Sequence, residues 1–132
     1  MYFLDSNSCI YFLNGKYGNL RTKILQTSPA AIKIPSVVKA ELLLGAEKSQ
    51  SRDRTLDRLE RFLEPFEIMP FDDQVSYRYA KIRYQTESIG RVVGPNDLLI
   101  AAIVVFHEGI LITKNTREFS AIEGLRLEDW TI

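Results

Sequence analysis

Three carboxylates, Asp5, Glu41 and Asp97, stand where the local pattern asks for a capping or an apolar residue, and they are separated by 36 and 56 residues. Each has an ordinary explanation by itself. Asp5 can cap a helix, Asp97 in a first helical turn meets the positive end of the helix dipole, and Glu41 can pair with Lys39 or Lys48. Gathered in one crevice they repel, and they stay ionised at neutral pH only if cations compensate them. Oxygen donors with few nitrogens suit Mg²⁺ or Mn²⁺, and a divalent ion held by carboxylates activates water and neutralises a phosphodiester in its transition state. The segment Thr113 to Glu118 adds further oxygen donors, Asn115 and Glu118 among them.

Other chemistries lack their residues. The chain has a single cysteine, Cys9, and a single histidine, His107, too few for a zinc site, an intramolecular disulfide or paired-histidine ribonuclease chemistry. His107 follows an apolar helix, where C-terminal capping explains it, and Cys9 reads as a small buried hydrophobe. Neither a Gly-x-x-x-x-Gly-Lys-Ser/Thr nor a Gly-x-Gly-x-x-Gly run occurs, so the glycine cradles for nucleotide phosphates are missing. An aspartyl-phosphate receiver is disfavoured because Asn7, not a second acid, follows Asp5 by two residues, and no strand between Ala31 and Pro70 ends in Asp.

These residues need a scaffold, and 132 residues with 45% hydrophobic and 26% charged content suit one globular domain spanning 1–132. The longest apolar run, Leu98 to Phe106, reaches only about 14 Å as a helix, short of the roughly 30 Å of a bilayer core. No basic region precedes an apolar stretch at the N-terminus, so a secretory signal is not expected and the cytoplasm is the expected compartment. Seventeen basic residues balance seventeen acidic ones, so any case for a polyanionic partner has to be local.

Tyr2 to Leu4 predicts a strand running through Asp5-Ser6-Asn7-Ser8 into a helix, and Ala31 to Ile34 a second strand. Pro35-Ser36 opens a helix that is apolar nearly all round and ends near Gly45 or Lys48, which predicts burial of Glu41 with it. From Ser51, leucines and phenylalanines at spacings of three and four mark an amphipathic helix that Pro65 ends. Phe66 to Pro70 suits a third strand, and a long helix follows from Asp72 to Ser88, stopped by Gly90. Gly94-Pro95-Asn96 turns into a drier helix, Gly109 to Thr113 is the clearest strand, and a last one falls near Leu125 to Leu127. This alternation predicts a three-layer α/β/α domain with a central parallel sheet of four to five strands. In such sheets ligands bind beyond the carboxyl ends of the strands, where Asp5 and the Asn115 to Glu118 turn lie.

One stretch is locally basic. Arg78, Lys81, Arg83 and Arg91 stand against the single acid Glu87 between Gln74 and Asn96, with Tyr77, Tyr79 and Tyr84 interleaved. That composition suits a nucleic-acid backbone. It equally suits a solvated face opposite a core stripe of Tyr77, Ala80 and Tyr84 at helical spacing.

The runs Phe3-Leu4-Asp5-Ser6-Asn7, Ile34-Pro35-Ser36-Val37-Val38-Lys39-Ala40-Glu41-Leu42-Leu43-Leu44-Gly45-Ala46, Gly94-Pro95-Asn96-Asp97-Leu98-Leu99-Ile100-Ala101-Ala102 and Thr113-Lys114-Asn115-Thr116-Arg117-Glu118-Phe119 resemble the ordered motifs of PIN domains, specifically VapC toxins of type II toxin-antitoxin systems. The resemblance covers essentially the whole chain. It implies a Mg²⁺- or Mn²⁺-dependent endoribonuclease acting on tRNA or another structured RNA, dimeric or in a higher toxin-antitoxin assembly, and inhibited by a VapB-type antitoxin. It places Asp5, Glu41 and Asp97 as the metal-binding acids, with Asp97 as a general base, Ser6 and Asn7 as hydrogen-bonding supports of the first acid, and Thr113 as a further support. The fourth acid of many PIN domains falls on Asn115 here, so Glu118 is the candidate to supply its charge. Lys114 stands where related sequences often carry Asn. A catalytically silent PIN domain that binds RNA or protein is the alternative, favoured by the uncharged Asn115 and opposed by the three retained acids.

Overall fold

The computed structural model describes residues Met1 to Ile132. Its strands are short: β1 (Tyr2–Leu4), β2 (Ile32–Pro35), β3 (Glu67–Met69), β4 (Ile110–Ile112) and β5 (Arg126–Glu128). They form one sheet in the order β3-β2-β1-β4-β5, every pairing parallel. Parallel neighbours need crossovers, and these are supplied by α1 (Ser6–Asn14), α2 (Gly18–Gln26), α3 (Ser36–Glu47), α4 (Arg52–Leu63), α5 (Asp73–Ser88), α6 (Pro95–Phe106) and α7 (Thr116–Phe119). Successive residues of a strand face opposite sides of the sheet, and Phe3 and Leu4 are both wholly buried, as are Leu111 and, all but 1%, Ile112. Both faces are therefore covered, giving the expected three-layer α/β/α architecture with five strands.

β1 lies between β2 and β4, so the chain leaves the central strand first to one side and later to the other. That switch opens a crevice at the carboxyl ends of β1 and β4. The register pairs Leu4 with Ile112, and the next step brings Asp5 level with Thr113. Gly109 sets up β4 from below, because a Cβ there would run into the ring of Phe3. His107 is the C-cap of α6 and its ring stacks on Phe3, so the capping expectation for it holds.

Several expectations need correction. The helix α3 is not buried all round: Val38, Leu42 and Ala46 face the core at intervals of four, while Leu44 is 54% exposed and Glu41 is only partly covered. Leu42 and Ala46 also line a surface groove, together with Glu41. On α5 the buried stripe is Val75, Ile82 and Thr86 with Tyr79 against Phe71, and Tyr77 and Tyr84 are 70% and 77% exposed. Both stripes have helical spacing, and the β-branched aliphatic one packs. The segment after Asn115 is one turn of helix, α7, rather than an open turn. A helix that the hydrophobic pattern does not mark, α2, buries Leu20 and Ile24 and has no side-chain cap at its start.

Candidate active site

Asp5 ends β1 and caps α1. Its backbone N–H donates to the Ile112 carbonyl at 3.3 Å, and its carboxylate accepts the Ser8 N–H at 2.9 Å. Ser8 also donates its hydroxyl to the Ile112 carbonyl at 3.1 Å, tying the start of α1 to β4. Only 6% of Asp5 is exposed. Burial pushes its pKa above the ordinary carboxylate value, hydrogen bonds from Ser8 and Thr113 pull it back, and the charge of Glu41 adds to the rise.

Glu41 arrives from α3. The Ser6 hydroxyl donates to its Oε1 at 2.5 Å and the Asn96 amide to its Oε2 at 3.4 Å. Ser6 thus holds the second acid rather than the first, which Ser8 serves instead, and Asn7 lines the cleft without a hydrogen bond to Asp5. The sequence marks Ser8 and Asn96 only as capping and turn residues and not as supports of the acids, although Ser8 is third after a capping Asp and Asn96 shares the first turn of α6 with Asp97.

Asp97 sits in that first turn, close behind Gly94, and Glu118 approaches the same spot from α7. A Cβ on Gly94 would lie 3.6 Å from Asp97 Oδ2 and 3.7 Å from Glu118 Oε1. The Gly94 N–H donates to Glu118 Oε1 at 2.8 Å, and the Asn115 amide to Glu118 Oε2 at 2.5 Å. The pKa of Asp97 is pushed up to about 7, first by burial, then by the hydrogen bond it shares with Glu118 and by the charges of Glu118, Glu41 and Asp5. Burial opposes ionisation of Glu118 too, but hydrogen bonds from Gly94, Asp97 and Asn115 outweigh it and hold its pKa below the usual value.

Asp5, Ser6, Asn7, Glu41, Asp97, Asn115 and Phe119 line one cleft of about 250 Å³. The structure therefore brings together the three sequence-predicted acids and Asn115, while Glu118 stands behind them, gripping Asn115 and Asp97. Thr113, 1% exposed, accepts the Asn115 N–H at 3.0 Å and fixes the turn. No three acidic, His or Cys side chains close into a tight ligand cluster. The cleft offers three carboxylates together with hydroxyl and amide oxygens, and no imidazole or thiol, which fits a hard divalent cation such as Mg²⁺. Arg78, Lys81 and Arg83 do not line it. Arg83 is engaged with Glu87 at 3.1 Å and with the Tyr79 hydroxyl at 2.7 Å.

Beside this cleft runs an apolar groove of about 200 Å³ between α1, α3 and α4, lined by Ile10, Leu13, Leu42, Ala46 and Leu59 with Arg58, and reaching Glu41.

Comparison with known proteins gives the same picture. The family model of the PIN domain matches residues 2–125. A protein named ribonuclease VapC2 from Rickettsia felis is 36% identical over 98% of each chain, and one named tRNA(fMet)-specific endonuclease VapC from Shigella flexneri is 35% identical over 98% of each. Among solved structures, VapBC2 from Rickettsia felis bound to a promoter DNA fragment superposes with a TM-score of 0.91 at 34% identity over 98% of both chains. DNA-bound VapBC from Salmonella typhimurium gives 0.92 at 33% identity over 98% of this chain and 97% of its own.

Proposed function

Because this chain belongs to the PIN-domain family, in its VapC branch, we propose that it is the toxin of a type II toxin-antitoxin pair, an endoribonuclease that uses Mg²⁺ or Mn²⁺ and cuts a tRNA. The observation that carries the reading is the convergence of Asp5, Glu41, Asp97 and Asn115 on one cleft at the carboxyl ends of β1 and β4. Asp5, Glu41 and Asp97 are the residues to hold the ion, with Asn115 as a neutral oxygen donor. When bound, the ion supplies an activated water and neutralises charge building on the phosphate.

The chain's own residues set the rest. Ser8 and Thr113 hold the Asp5 carboxylate, and Ser6 with Asn96 holds that of Glu41, so both acids point into the cleft without searching rotamers. Asp97, lining the cleft with Glu118 beside it, is assigned to take the proton from the attacking water. The silent-module alternative rested on the missing charge at Asn115. Glu118, bonded to that same side chain, sets a carboxylate directly behind it.

The partner is a VapB-type antitoxin. The groove of Ile10, Leu13, Leu42 and Leu59 is where we place its segment, since an apolar occupant there would reach Glu41 and block the cleft. No helix is long and apolar enough to cross a membrane.

The test is cleavage of total tRNA by purified, antitoxin-free protein with Mg²⁺ or Mn²⁺ against EDTA. Cutting should need the metal and should vanish in Asp5→Asn and Asp97→Asn. A folded protein that cuts no RNA under any metal would sink the nuclease reading.

A further inference from the structure

The acidic cleft continues into a second hollow of about 220 Å³ that shares Asp5, Asn7 and Asn115 with it and adds Tyr11 and Lys114. Behind Tyr11, Tyr17 packs edge-on with ring centres 4.9 Å apart. The Lys16 ammonium lies 5.2 Å from the Tyr11 ring centre and 5.5 Å from that of Tyr17. Lys114, entering from the turn between β4 and α7, reaches the same Tyr17 ring at 5.9 Å.

Neither lysine is within ion-pair distance of a carboxylate; the ion pairs of the chain are made by Lys33, Arg52, Arg61 and Arg83. Two ammonium groups are thus steadied by aromatic faces beside a cleft of acids, and their charge stays free for another anion. A polyanionic strand entering that cleft meets repulsion from Asp5, Glu41 and Asp97 on one side. It needs fixed positive charge on the next. The charge of Lys114 has no role in holding a cation.

We propose that Lys16 and Lys114 form a phosphate subsite, positioned by Tyr11 and Tyr17, that takes the backbone phosphate of an RNA nucleotide flanking the one seated at the acidic cleft. The proposal rests on the ribonuclease reading for what occupies the cleft. The lysines touch the strand, and the two tyrosines act through them.

Binding of a short, fluorescently labelled single-stranded RNA of mixed sequence to Asp97→Asn protein in Mg²⁺, followed by anisotropy across a range of KCl, tests it. Each lost phosphate contact to a single strand flattens the slope of log affinity against log salt by about 0.7. The pair Lys16→Gln and Lys114→Gln should therefore flatten it by about 1.4 and weaken binding roughly ten-fold at low salt. Lys114→Arg should keep the slope, Tyr17→Phe should keep it, Tyr17→Leu should lose part of it, and Lys48→Gln, on the surface at the end of α3, should leave it unchanged. In the catalytically intact protein the lysine pair should raise KM for RNA with little change in kcat.

An unaltered slope and affinity in the double variant overturn the subsite, as does a parent that binds no RNA. If the wild-type chain binds RNA but never cuts it, the nuclease reading falls alone. A flattened slope in the double variant would then still support the subsite, as part of a binding module.

Discussion

Asp97 and Glu118, carried by α6 and α7, share a proton beside the backbone N–H of Gly94, which binds Glu118 at 2.8 Å and leaves Asp97 as the proton holder. Without metal, folded Asp97 keeps its proton up to about pH 7, whereas the unfolded chain releases it near the ordinary carboxylate value of 3.8. The native state binds more protons in that window, so its stability is full below the window and falls as pH rises through it. The lowered pKa of Glu118 acts in the opposite sense, but below 4.5. The metal-free protein should melt at a lower temperature at pH 8 than at pH 5. Asp97→Asn should flatten that dependence, and millimolar Mg²⁺ should raise the melting temperature at pH 8, because an ion that binds only the folded state stabilises it. Thermal melts in EDTA against Mg²⁺ decide this; an equal or higher melting temperature at pH 8 in EDTA would refute the proton sharing.

Ser6 holds Glu41 by a 2.5 Å hydrogen bond across 35 residues of sequence. Groups that orient a metal-binding carboxylate typically account for about 10–100-fold in metal affinity or activity. Ser6→Ala should raise the Mg²⁺ concentration for half-maximal cleavage by about ten-fold, with the maximal rate at saturating Mg²⁺ largely retained. A metal titration of cleavage reads both numbers. An unchanged half-point would mean that Asn96 alone suffices to orient Glu41.

What the sequence made legible here was order and spacing. Asp5 after a strand, Glu41 on a helix after Pro35, Asp97 in a first turn and Asn115 after the clearest strand each follow from capping and breaker residues, and parallel topology then brings them to one end of the sheet. Contacts between elements were not legible. That Ser6 serves Glu41 while Ser8 serves Asp5 depends on how α3 packs against α1, which no local pattern encodes. The exposure of Glu41 was not legible because an apolar helix can border a surface groove as well as a core, and Leu44 stands on the solvent side of the same helix. Tyr77 and Tyr84 were misplaced for a related reason, since two stripes of α5 share helical spacing and only the fit against α6 selects one.

The groove beside Glu41 predicts how the antitoxin can be lost without losing the toxin. Ile10 lines it and is 41% exposed, so a charge there disturbs little of the core. Ile10→Asp should weaken capture of a VapB-type antitoxin by two orders of magnitude or so, about the cost of placing an unpaired charge in an apolar contact. It should leave the melting temperature and the RNA-cutting rate of the free protein near wild type. Calorimetric titration with purified antitoxin measures the first and melts with cleavage assays the second; tight binding by the variant would move the docking site elsewhere.

The α5 face gives a prediction that separates long RNA from short. Arg78 and Lys81 have no carboxylate partner, unlike Arg83 with Glu87, and the exposed rings of Tyr77 and Tyr84 stand on the same helix. Cations beside exposed aromatic rings suit an RNA strand, yet none of these residues lines the acidic cleft. Only an RNA long enough to leave the cleft and cross α5 would meet them. Arg78→Glu with Lys81→Glu should therefore weaken binding of a full tRNA by about ten-fold at low salt, converging with wild type as salt rises, and leave a short oligoribonucleotide unaffected. Equal affinity of the charge-reversed protein for the full tRNA would show that α5 stays clear of the substrate, and its exposed tyrosines would then need a protein partner to cover them.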